Sequence, residues 1–106
     1  MMKHFNLEDL KAEINIRGVH AKTLVNHKNT TIKNLLLKKG ESIPTHQVPV
    51  DVTFFVLEGK GQITIDDENY PVKANDIVLC PPNVPMSVKA DDESPLSFLN
   101  IKTPGI

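Results

Sequence analysis

A chain of 106 residues with 40% apolar and 24% charged side chains has the make-up of one globular domain, large enough for a modest core and too small for two. A formal charge of −1 gives no basis for binding nucleic acid or an anionic membrane surface. The single cysteine, Cys80, excludes an internal disulfide and suits a reducing compartment.

The opening MMKHFNLEDLK has no apolar stretch of signal-peptide length, and no run approaches the ~18 apolar residues of a membrane span. A soluble, cytoplasmic protein is expected. The charge is uneven: residues 1–40 carry 8 Lys and Arg against 3 Asp and Glu, and residues 41–106 carry 4 against 10. The lysines are dispersed among apolar residues, so this reads as a basic and an acidic region meeting in one fold, not as a nucleic-acid arm.

Asn6-Leu7-Glu8-Asp9-Leu10 is the one helical piece. Asn6 can cap it, Glu8 and Asp9 suit its positive end, and Leu7 with Leu10 form its buried side. Strand patterns follow. Thr30 to Lys38 is ended by Lys39-Gly40-Glu41, and Val48 to Leu57 is ended by Glu58-Gly59-Lys60-Gly61. Gln62 to Asp66 alternates and turns at Asp67-Glu68-Asn69. Tyr70 to Val72, Ile77 to Cys80, Val84 to Lys89 and Leu96 to Lys102 complete the set. Short strands separated by turns, with no helices between them, predict an all-β antiparallel sandwich or barrel. All 8 prolines lie after residue 43, where loops and strand ends accommodate them.

Gly40, His46 and Gly59 are spaced like the landmarks of the first cupin motif, within the phrase FFVLEGKG. Asn75-Asp76, Pro81, Asn83 and Pro85 are spaced like those of the second, within PPNVP. Residues 30–102 therefore resemble a small single-domain cupin of the conserved-barrel type. The resemblance implies an antiparallel jelly-roll barrel over 30–106. Residues 1–29 are expected to add the short helix, strands and part of a dimer contact within the one domain. Asn75 and Asn83 replace motif glycines, and Asn is the side chain that best tolerates a positive φ there.

In that family three His and one Glu hold a divalent metal. The matching positions here carry His46, Val48, Val52 and Met86, and the second-motif Asn position carries Ala90. One imidazole cannot retain Fe(II), Mn(II), Ni(II) or Zn(II), which need several N, O or thiolate ligands at once. No metal and no cofactor is expected. Asp51 adjoins the Glu position but faces the other side of a strand; only a bulge between Pro49 and Val52 would turn it inward.

Placed on one strand parity, His46, Val48, Val50, Val52, Phe54 and Val56 predict an apolar interior with a single imidazole, joined by Val78, Cys80, Met86 and Val88. The expected ligand-binding residues are His46, Val48, Val52, Phe54, Cys80 and Met86, with His46 orienting a small molecule. His46 read only as a core histidine is an even alternative. Met86 then simply fills the space of the missing His, and Cys80 is a small buried apolar residue. A soft copper site of His46, Cys80 and Met86 is a further option. His4, His20 and His27 are expected at the surface without ligand-like spacing. Asp66-Asp67-Glu68 and Asp91-Asp92-Glu93 are expected as solvated turns, lacking a Ca²⁺-loop pattern.

Three functions follow: a metal-free barrel binding a small molecule, a metal-dependent isomerase or oxygenase using His46 with non-standard ligands, and a sensor or interaction module. A metal-free epimerase pairing a His base with a Tyr acid is disfavoured, because the only tyrosine, Tyr70, falls near a turn. A homodimer is expected, with Leu24-Val25 and Leu35-Leu36-Leu37 supplying apolar surface.

Overall fold

The computed structural model describes residues 4–105. The chain begins with a short 3₁₀ turn, Leu7–Asp9, capped by the Asn6 side chain, which accepts from the Glu8 N–H at 2.9 Å. Strands then follow as β1 (Glu13–Ile14), β2 (His20–His27), β3 (Thr30–Leu37), β4 (Ser42–His46) and β5 (Asp51–Ile65). β6 (Glu68–Lys73), β7 (Ile77–Cys80), β8 (Met86–Ala90) and β9 (Leu96–Thr103) complete the order. No helix among the described residues is long and apolar enough to cross a membrane.

Two curled antiparallel layers result. One runs β1-β2-β3-β9-β5-β7 and the other β4-β8-β5-β6. β5 belongs to both: Asp51 to Gly59 pair with β9 and part of that stretch with β7, whereas Lys60 to Ile65 pair with β6 and β8. The sequence pattern predicts a strand end at Glu58-Gly59-Lys60-Gly61. The structure corrects this to a bend within one continuous strand. The register slips between Val56 and Glu58 and Gly59 turns to φ +80°, so the chain changes layers without leaving the ladder. A Cβ at Gly59 would run into the Pro95 carbonyl, and one at Gly61 into the Lys89 carbonyl. Only glycine lets those backbones approach.

A second correction concerns His46. It ends β4, while Phe54 lies on β5, and Gln47 to Val50 form the connection between them. One parity therefore does not run from residue 46 to 56. The Asn substitutions behave as expected, with Asn75 at φ 74° and Asn83 at φ 62°.

The core forms where the two layers face each other. Val52, Phe54 and Val56 of β5 and Leu96 and Phe98 of β9 are buried against Ile63, Met86, Val88 and Ala90. Phe54 and Phe98 meet at a ring-centroid distance of 5.7 Å and 52°, a tilted contact of the kind aromatic quadrupoles favour. The opposite face of the first layer is also apolar. Ile32, Ile101, Thr53 and Leu79 stand in register across β3, β9, β5 and β7, and Asn34, Leu99, Phe55 and Ile77 form the adjacent row. Ile77 and Leu79 are 59% and 67% exposed.

Candidate functional site

At one end of the barrel is a small cavity of about 70 Å³, lined by residues from both layers. β4 supplies Ile43 and His46, β8 supplies Val88, and β5 supplies Phe54. β3 adds Lys33 and Leu35, β9 adds Asn100 and Lys102, and the turn between β1 and β2 adds Asn15 and Arg17. The floor is thus apolar and the wall is cationic.

Each element places its side chain for a local reason. On β9 the inward parity that buries Leu96 and Phe98 continues to Asn100 and Lys102, because alternate residues share a face. On β3 the parity of Leu35 and Leu37 continues back to Lys33 in the same way. Arg17 is set by a tight turn. The Asn15 side chain accepts from the N–H groups of Arg17 and Val19 at 2.9 and 3.1 Å, and Gly18 takes φ +78°. This Asx-type arrangement fixes the turn that carries the guanidinium.

His46 Nδ1 lies 3.0 Å from the Pro44 carbonyl oxygen. A carbonyl only accepts, so Nδ1 carries the hydrogen, and in the neutral ring Nε2 holds the lone pair. Burial lowers the His46 pKa below its ordinary value; the Pro44 carbonyl opposes this, while Arg17 and Lys102 reinforce it. Lys102 is also lowered, first by burial and then by the charges of Lys33 and Arg17. Every charge that shifts these two groups is positive.

Of the six side chains expected to bind a ligand, His46 and Phe54 line this cavity. Val52, Cys80 and Met86 are buried in the core, with Val48 packed against it. Met86 stands opposite His46 in the β4–β8 ladder, and Val52 opposite Cys80 in the β5–β7 ladder. The apolar interior expected from the sequence is present as packed core. The cavity itself is corrected from an apolar pocket with a single imidazole to one with Arg17, Lys33 and Lys102 on its wall. Sequence reasoning missed these three because the dispersed Lys and Arg read only as part of a basic region facing an acidic one. The signal available was the inward parity of β3 and β9.

A divalent metal does not fit these residues. The four positions that would hold it carry one imidazole, two valines and a methionine, and three cationic side chains line the adjoining cavity. Among the described residues, no three His, Cys, Asp or Glu side chains come together as a ligand set. Asp51 is exposed. The Cys80 thiol is buried, lies 3.5 Å from the carbonyls of both Pro81 and Val84, and is pushed up by burial, away from the thiolate that a soft metal binds. Tyr70 lies on β6, exposed, and donates to Glu68 at 2.9 Å. His4 and His27 are exposed, and His20 is half-buried on β2.

A larger hollow of about 460 Å³ lies along Lys60–Gln62, Pro71–Val72 and Lys89–Asp92. Its charges are of both signs, and Lys89 pairs with Asp92 at 2.8 Å. It lacks the unbalanced field of the His46 cavity.

Comparison with known proteins agrees with this architecture. The cupin domain family model matches residues 34–102, and the chain belongs to that family. It is 30% identical over 82 residues to the uncharacterized protein MJ0764 of Methanocaldococcus jannaschii, covering 76% of this chain and 71% of that one. The crystal structure of an RmlC-like cupin from Shewanella frigidimarina superposes with a TM-score of 0.88 at 16% identity, over 99% of this chain and 93% of the other. The polyketide cyclase RemF of Streptomyces resistomycificus superposes at 0.86 with 19% identity, over 97% and 80%. At these identities the two structures establish the shared fold alone.

Proposed function

We propose that this cupin binds a small molecule at the open end of its barrel without a metal, with His46 orienting the ligand over Phe54. One observation carries the reading: His46 and three cationic side chains line a cavity with an apolar floor of Leu35, Ile43, Phe54 and Val88. Concave sites with a few convergent polar groups over apolar walls are where small ligands bind. The residues that would complete a metal shell in the family are replaced by packing groups, so the imidazole is available to the ligand.

Two measurements test this. Elemental analysis of freshly purified protein is expected to give far less than one equivalent of iron, manganese, nickel or zinc. A fragment library containing neutral, anionic and cationic members, followed by NMR, is expected to give binders that shift His46 and Phe54 together. A stoichiometric metal, or a library with no binder at this cavity, would overturn the proposal.

A further inference from the structure

We propose that the ligand of this cavity is a small organic carboxylate, its charged group held by Arg17, Lys33 and Lys102 and its short carbon body resting on Leu35, Ile43, Phe54 and Val88. The proposal rests on the cavity being the ligand site and adds the chemical class.

The first support is charge. Lys33 and Lys102 come from adjacent antiparallel strands and share the inward face with Asn100, the register partner of Lys33. Like charges placed so closely on one sheet face repel. A carboxylate partner would relieve this, yet among the described residues the one ion pair is Lys89 with Asp92, elsewhere in the fold. Arg17 brings a third positive group to the same cavity from a turn held by Asn15. A concave, partly desolvated site lined by one sign of charge concentrates ions of the other sign.

The second support is geometry. A cavity of about 70 Å³ suits a carboxylate with a few carbons and excludes a nucleotide or a sugar chain. The planar guanidinium of Arg17 and the ammonium groups of two lysines match carboxylate oxygens through charge-assisted hydrogen bonds. Asn15 and Asn100 add neutral polar groups on the wall. The apolar floor is the feature that selects a carbon-bearing anion, because a fully hydrated inorganic ion leaves that floor uncovered.

The test compares three probes on the intact protein, an isosteric charged and neutral pair and an inorganic anion. Propionate, propionamide and inorganic phosphate are titrated separately while NMR follows His46, Phe54, Asn100 and the lysine side chains. Propionate is expected to saturate, with shifts confined to the cavity, and propionamide to bind about tenfold more weakly or not at all. Lys102→Met and Lys33→Met, which keep side-chain length without charge, are each expected to weaken propionate by about tenfold with the fold intact by circular dichroism. Propionamide binding as well as propionate would overturn the carboxylate assignment and leave the cavity as a site for neutral molecules. Phosphate binding with propionate silent would overturn the role of the floor. Silence of all three at the cavity overturns the assignment; the fragment library then decides separately whether the cavity binds anything.

Discussion

Lys33 and Lys102 lie diagonally across the β3–β9 ladder, Lys33 opposite Asn100 and Lys102 two residues further along the same inward face. Burial and the charges of Lys33 and Arg17 together depress the Lys102 ammonium. The free protein therefore holds an arrangement that its own stability disfavours. Lys102→Met is expected to raise unfolding stability by about 0.5–1 kcal/mol, the scale of one unfavourable cross-strand pair. Urea denaturation at low salt reads this. A loss of stability in the variant would show that the ammonium is satisfied in the free protein.

His46 supplies a pH signature. Its folded pKa lies below 6.5, chiefly through burial, so the unfolded chain binds the proton more readily. The folded state is then favoured most above 6.5, and this contribution is lost as pH falls from 6.5 through the lower folded value. Imidazole NMR titration is expected to place His46 below 6.5, and a bound carboxylate is expected to move it upward by opposing the field of Arg17 and Lys102. A free-state midpoint at or above 6.5 contradicts this account.

Gly59 carries the bend of β5. At φ +80°, with the Pro95 carbonyl occupying the place of a Cβ, Gly59→Ala combines left-handed backbone strain with a steric collision against main chain. A loss of about 2–4 kcal/mol is expected. Gly18→Ala shares the positive φ but meets nothing within 4 Å, and so isolates the backbone component at about 1 kcal/mol. Equal losses at the two sites would show that the collision relaxes away.

The exposed side of the first layer bears on assembly. Ile32, Ile101 and Leu79 in one row and Leu99, Phe55 and Ile77 in the next present a nearly continuous apolar surface over four strands, the kind of patch that marks an interaction site. We propose that a second copy of the chain covers it. A two-fold axis brings the same patch of both copies face to face, so a two-fold pair is the natural partner. Light scattering is expected to give twice the chain mass, and Ile77→Glu with Leu79→Glu to halve it with the β-sheet signal in circular dichroism unchanged and the concentration dependence of the melting temperature lost. A wild-type monomer ends the proposal.

Strand positions were legible wherever period-two alternation met a turn signal, as at Ile77–Cys80 and Leu96–Thr103. The positive-φ roles of Asn75 and Asn83 were legible from motif spacing. The single strand through Gly59 was not, because glycine marks a strand end and an internal bend with the same residue. Nor was the cationic wall. Periodicity says which face a lysine shares, but only the folded barrel shows that Lys33 and Lys102 lie where the inward face opens at the mouth. Arg17 was beyond reach altogether, since its place depends on how the turn between β1 and β2 lies against the barrel.

Among the described residues, β5 alone is hydrogen-bonded in both layers. The ladder bonds that join the two layers therefore all run through this one strand: pulling the first half of β5 away from β9 strains the same backbone that anchors β6 and β8.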